Sequence, residues 1–292
     1  MTDYVGAVTD GTYGAVGFDF KSPHTGLAAK KAWFFFDKTY VCLGTNISSR
    51  MKNQVLTTVN QCLLNGEVTV SDADGIHPQE QGSRMKKEVR WVVHDKVGYY
   101  FLKKENVILS NQRIEGSWKI ANRQTTTPTD IIRQDVFTLS VDHGRSPNNG
   151  DYAYMVIPSA DPLSIEKQVE EEGVVILANC PEVQAVRHDG LNMAYAAFYK
   201  GGTLRIHDKI VVEMDSPGML MVKYNDAGEI LALGVSDPTR FMKKLHLSVN
   251  QKIVGAVQEN IQTEWDEKQA LTRITVELPQ NEYAGKSVIY NK

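Results

Sequence analysis

Seven histidines, His24, His77, His94, His143, His188, His207 and His246, are spread through the 292-residue chain, and none has another histidine two or four residues away. A zinc-hydrolase helix needs two imidazoles one turn apart on one face, so that chemistry is disfavoured. A nucleophile-elbow G-x-S-x-G and a P-loop are absent, and no G-x-G-x-x-G follows a strand pattern, which disfavours phosphate cradling as well. The run Glu170-Glu171-Glu172 reads as a solvated helix end. A general acid/base pair needs fixed geometry and shifted pKa values, which adjacent carboxylates on a surface helix do not supply. Asp72 and Asp74 alternate as oxygen ligands of calcium do, but the alternation is too short to specify a site. No cofactor is therefore expected, and calcium is the one metal the residues leave open.

The run Lys30-Lys31-Ala32-Trp33-Phe34-Phe35-Phe36-Asp37 is the most unusual in the chain. Read as a strand, it sets Trp33 and Phe35 on one face and Phe34 and Phe36 on the other, which predicts a strand buried between layers. A sugar-stacking platform is the alternative, because aromatic faces pack against pyranose C–H groups. Three cysteines, Cys42, Cys62 and Cys180, are an odd number at wide spacing, so no disulfide framework is expected. Cys42 lies within the apolar stretch Tyr40-Val41-Cys42-Leu43 and reads as a buried, unbridged thiol.

These residues must be positioned by strands. Short runs rich in Val, Ile, Tyr, Phe and Thr recur from Tyr13 to Phe20 through Arg273 to Leu278, separated by turn dipeptides such as Asp10-Gly11, Asn65-Gly66 and Asn149-Gly150. That is hairpin patterning. One segment reads as a helix, Pro162 to Glu172, with Asp161 as N-cap and Gly173 past its end. Ser71 to Lys87 and Ile120 to Gln134 read as long polar loops. An all-β fold follows, with a large antiparallel β-sandwich over residues 1–173 and a smaller C-terminal antiparallel β-sandwich over residues 174–292.

Charge and hydropathy narrow the partners. With 32 basic and 35 acidic residues the net charge is −3, so no nucleic acid is expected, since that partner needs a clustered basic face. An acidic polysaccharide needs only a local one. No stretch approaches the roughly 20 apolar residues that span a bilayer, so no membrane is expected. Met1-Thr2-Asp3-Tyr4 has neither a basic nor an apolar leader region, so the chain shows no signal peptide.

Several ordered blocks resemble polysaccharide lyase family 8, the chondroitin AC, hyaluronate and xanthan lyases. Ala29-Lys30-Lys31-Ala32-Trp33-Phe34-Phe35-Phe36-Asp37, then Val41-Cys42-Leu43-Gly44 and Thr57-Thr58-Val59-Asn60-Gln61, are similar to the family's central β domain. Thr9-Asp10-Gly11-Thr12-Tyr13-Gly14-Ala15 precedes them, and Asp135-Val136-Phe137, Asp142-His143-Gly144 and Tyr152-Ala153-Tyr154 follow. Glu282-Tyr283-Ala284-Gly285-Lys286-Ser287-Val288 resembles the family's final strand. The resemblance implies an N-terminal helical toroid, a central β-sandwich and a smaller C-terminal one. It also implies β-elimination at a uronic acid, with an asparagine, histidine, tyrosine and arginine on the toroid and a glutamate and asparagine early in the central domain.

All of those positions would precede residue 1. The resemblance therefore implies a chain without catalytic residues, lacking the toroid and the opening strands of the central sandwich, with exposed strand edges. Its parent would be secreted or periplasmic. One rim of the central domain would close the cleft opposite the toroid, which nominates Arg50 and Lys52, in the turn after the Tyr40 strand, and Arg145, in the His143 to Asn149 turn, as contacts to acidic polysaccharide. The competing reading is a non-catalytic carbohydrate-binding or adhesion module.

Overall fold

Alternating apolar and polar residues punctuated by turns fold as antiparallel strands throughout. The computed structural model describes residues 2–253 and 259–292. In chain order the strands are β1 (Val5–Thr9), β2 (Gly14–Lys21), β3 (Ala28–Phe35), β4 (Tyr40–Ser48), β5 (Gln54–Leu63), β6 (Val68–Asp72), β7 (Gly75–Pro78), β8 (Gly82–His94), β9 (Val97–Gly116), β10 (Ile132–Arg145) and β11 (Gly150–Pro158). They continue as β12 (Val174–Asn179), β13 (Val183–His188), β14 (Met193–Phe198), β15 (Gly202–His207), β16 (Ile210–Met214), β17 (Gly218–Tyr224), β18 (Ile230–Ser236), β19 (Lys244–Val249), β20 (Ile261–Asp266), β21 (Leu271–Glu277) and β22 (Val288–Asn291). Two short helices, α1 (Trp118–Ala121) and α2 (Ile165–Glu172), and a 3₁₀ turn over Asn281–Tyr283 interrupt them.

Two compact units result, each discontinuous in sequence: Met1–Lys52, Ser146–Ala153 and Glu166–Lys292 form the first, and Asn53–Arg145 with Tyr154–Ile165 the second. In the first, β1 to β4 are antiparallel neighbours, in register at Val5↔Phe18, Asp19↔Lys30 and Lys30↔Thr45. A six-stranded sheet, β12-β13-β14-β17-β18-β22, and a five-stranded one, β15-β16-β19-β21-β20, complete it. Phe198, Leu220 and Leu233 of the six-stranded sheet share a core with Leu204, Val212, Leu245 and Ile274 of the five-stranded one. Each such side chain removed from water contributes about 1.5–3 kcal/mol. Distant segments are tied together: the Tyr4 hydroxyl donates to the Gly218 carbonyl (3.1 Å) and Ser236 Oγ to that of Ala7 (2.7 Å).

In the second unit β9 runs for 20 residues. Along its early part it pairs with β11 (Tyr154↔Phe101 to Pro158↔Val97), and along its later part with β10 (Val141↔Val107 to Ile132↔Gly116). A two-residue turn at Asp95 (φ +48°) and Lys96 (φ +62°) joins β8 to β9. Positive φ at both central residues is the type I′ geometry, whose twist matches that of the flanking strands. Leu109, Phe137, Leu139 and Val141 are buried, whereas Leu63, Met85 and Ile114 are exposed. Among the described residues β5 pairs only with β10, which leaves its other edge open.

Several expectations are corrected. Ser71 to Lys87 is not a loop, since β6, β7 and the start of β8 form a ribbon there, in register at Ser71↔Ile76 and Asp72↔Gly75. α2 begins at Ile165, three residues after Pro162. The Asp161 carboxylate accepts the Leu163 N–H and its carbonyl those of Ser164 and Ile165, making a separate turn ahead of the helix. Gly173 (φ +62°) does end it. The aromatic strand is buried on one face: Ala32 and Phe34 are inaccessible, while Phe35 keeps 43% of its surface in solvent. The chain's last strand is Val288–Asn291, and the preceding Asn281–Tyr283 is a 3₁₀ turn.

Candidate functional site

Arg50 and Lys52 lie in the connection between β4 and β5, and both side chains are exposed. Their loop is held on both sides. The Ser49 N–H donates to the Pro147 carbonyl (3.0 Å), and the Met51 carbonyl accepts from the Ser146 hydroxyl (2.9 Å). The loop's backbone is thereby fixed at both ends.

Arg145 belongs to the second unit and ends β10 instead of lying in a turn, with Gln54 as its register partner after a bulge that begins at Asp142. The Asp142 carboxylate accepts the Gly144 N–H (2.9 Å), and Gly144 at φ +72° supplies the left-handed residue the bulge needs. His143 Nε2 is 2.9 Å from Thr57 Oγ1. Arg145 itself is exposed.

The ribbon of β6, β7 and β8 assembles a cluster that sequence spacing did not reveal. Asp72 Oδ1 receives His77 Nε2 at 3.0 Å and the Asp74 N–H at 3.0 Å, and the Lys86 ammonium stands 3.1 Å from Oδ2. Burial raises the pKa of Asp72, but the bonds from His77, Asp74 and Lys86 outweigh it and hold the carboxyl below the usual range. Asp74 meets Asp72 through its backbone. Among the described residues no group of three or more His, Cys, Asp or Glu side chains is placed to hold a metal ion.

In the first unit Glu172 is not a solvated helix end. Its carboxylate takes a hydrogen bond from Thr39 Oγ1 (3.2 Å) and lies 3.1 Å from His188 Nε2, whose ring packs 4.7 Å from that of Phe36. The partners come from β13 and from the β3–β4 connection, so no short motif announces them. On the open face of the five-stranded sheet, a groove of about 570 Å³ is lined by Glu213, His246, Glu264 and Arg273. Asp266 and Gln269 hold the Arg273 guanidinium at 3.1 and 2.7 Å, and His246 Nδ1 lies 3.0 Å from Thr275 Oγ1. Each cluster fixes charge in place.

Comparison with known proteins places the chain. The family model of the polysaccharide lyase family 8 super-sandwich domain matches residues 1–169, and that of the family's C-terminal beta-sandwich domain matches residues 175–246. The chain is 34% identical over 288 residues to the chondroitinase-AC of Pedobacter heparinus, covering 98% of this chain and 38% of that protein. It is 27% identical over 241 residues to the xanthan lyase of Bacillus sp. (strain GL1), covering 79% of this chain and 25% of that one. A solved chondroitinase AC lyase superposes with a TM-score of 0.83 at 35% identity, over 99% of this chain and 40% of that one. A Paenibacillus xanthan lyase superposes with a TM-score of 0.86 at 24% identity, over 98% and 28%, a likeness of fold. The chain thus spans about two fifths or less of the length of these relatives. With a family model matching 1–169 and a relative 34% identical along nearly all of it, the chain belongs to polysaccharide lyase family 8.

Proposed function

We propose that this chain is the β portion of a lyase that cleaves an acidic glycosaminoglycan of the chondroitin or hyaluronan type. The reaction removes the proton at C5 of a uronic acid, forms a C4–C5 double bond and expels the oxygen at C4. In this reading a helical domain supplies the catalytic residues, and the β portion supports it and forms one wall of the substrate cleft. Arg50, Lys52 and Arg145 contact the polyanion, no cofactor is called for from this chain, and the whole protein works outside the cytoplasm. The carrying observation is the 34% identity to a chondroitinase-AC along 98% of the chain.

Two measurements test the reading. The isolated chain is expected to generate no unsaturated uronate from chondroitin or hyaluronan, and absorbance of that product following the chain through successive columns would overturn the assignment of catalysis elsewhere. The chain is also expected to be retained on immobilised chondroitin sulfate at low salt and released as ionic strength rises, because exposed charges are screened over about 8 Å at physiological salt. Unchanged retention of the Arg50→Ala, Lys52→Ala, Arg145→Ala triple variant would remove those residues from the cleft wall.

A further inference from the structure

A groove of about 630 Å³ in the first unit lies between the turn after β18 and the segment before β22. At its rim stands Phe241, with 82% of its surface in water. Single exposed apolar side chains are ordinary on protein surfaces and need no explanation. Here the loop that carries one is unusually constrained. Asp237 is 2% exposed; one carboxylate oxygen accepts the Thr239 N–H (2.7 Å) and hydroxyl (2.6 Å), the other the Met242 N–H (2.8 Å). Arg240 is held at φ +64°, a left-handed conformation that side-chain-bearing residues rarely adopt. Pro238 packs so closely on Gly6 that a Cβ there would fall 2.8 Å from its Cα.

The facing segment is stitched to the same loop. Gln280 Nε2 donates to the Met242 carbonyl (3.0 Å) and the Leu278 N–H to that of Lys243 (2.9 Å). The Arg240 stem crosses Gly285, where a Cβ would meet its Cγ at 3.3 Å. Arg240 itself lines the groove beside Gln280 and Asn281. The Arg240 guanidinium and the Asn281 amide, both at the groove, make no side-chain hydrogen bond or ion pair among the described residues. The lining's carboxylate is Asp3.

We propose that this groove is a carbohydrate-binding platform: Phe241 stacks on the C–H face of a pyranose ring while Arg240 pairs with a carboxylate or sulfate of an acidic polysaccharide. A rigid aromatic face, an unengaged amide and an unengaged guanidinium are the groups such a ring calls for, and a loop locked beforehand loses little freedom on binding. The inference rests on reading the chain as part of an acidic-polysaccharide lyase.

Affinity electrophoresis in gels containing chondroitin sulfate tests it on the whole chain. Because Phe241 is exposed, Phe241→Ala is expected to melt as the parent does while its dissociation constant rises about tenfold. Phe241→Trp is expected to retain binding, and Arg240→Ala to weaken it and lessen its salt dependence. If the parent is retarded and Phe241→Ala is retarded equally, or if Phe241→Trp is as weak as Phe241→Ala, the platform is refuted while the lyase reading stands. If the parent is not retarded at all, both the platform and the chain's role as a substrate-contacting wall fall.

Discussion

The ring of Tyr152 occupies the space that a side chain at position 44 would need: a Cβ built on Gly44 would lie 2.0 Å from a ring carbon. Tyr152 is 2% exposed and cannot swing into solvent without opening the core. Gly44→Ala is therefore expected to destabilise the first unit by about 3 kcal/mol or more, or to prevent folding. Guanidinium unfolding midpoints check this. A Gly44→Ala, Tyr152→Ala double variant that recovers part of the loss in a cycle would assign the cost to that contact.

Acid should weaken the first unit through Asp10. Burial raises its pKa, but the Lys223 ammonium and the N–H groups of Tyr13 and Thr12 prevail and hold the carboxyl below its ordinary value. A depressed folded pKa contributes stability that is full above the unfolded value near 4 and disappears as pH falls through the folded one. Asp10→Asn is expected to cost on the order of 1–2 kcal/mol at pH 7 and much less at pH 3. Equal costs at both pH values would show that the charge is not what matters there.

Thiol chemistry should separate the three cysteines, none of which is in a disulfide. Cys42 is 1% exposed, whereas Cys62 and Cys180 are partly accessible. Under native conditions Cys42 is expected to react with a maleimide about a hundredfold more slowly than in denaturant, because reaction waits on opening of the unit. Burial also pushes the Cys62 thiol upward, with the Asp95 charge adding to it, so its alkylation should be slow at neutral pH and quicken in mild alkali. Mass spectrometry of timed samples reads both.

At the β8–β9 turn, Lys96 pays for its positive φ with steric strain that glycine does not feel. Lys96→Gly is expected to stabilise the second unit by roughly 0.5 kcal/mol, the relief of strain exceeding the added chain entropy. Lys96→Val should do the reverse. A thermal melt of each variant decides it.

How far the sequence could be read follows from where each signal resides. Strand alternation is local, so runs such as Tyr40 to Ile47 and Gly218 to Tyr224 were legible, as was the stop at Gly173. The Asp95-Lys96 hairpin is legible only as two strand cores, because it uses neither Asn-Gly nor Asp-Gly and because β9 continues past Leu102 through the exposed Lys103 and Lys104, which interrupt the apolar pattern. Trp33 and Phe35 were misassigned to a buried face because composition does not say which side of a sheet is covered. The Asp72 and Lys86 pair depends on register between strands, and the Glu172 and His188 pair on how α2 docks beside β13; both are properties of the folded chain. Arg50 and Lys52 were placed correctly in an exposed turn, while Arg145 was drawn into β10 by a bulge that no residue pattern foretold.

The bonds from Tyr4 to Gly218 and from Ser236 to Ala7 bridge 214 and 229 positions of the chain. On a ribosome adding roughly 5–20 residues per second, the first strands therefore emerge on the order of ten to forty seconds before their partners exist. During that interval β1 and β2 can pair with each other and with β3, but the buried side chains they send toward β17 and β18, Val8 among them, have no cover. An apolar face left waiting in this way is open to chaperones and to neighbouring chains alike.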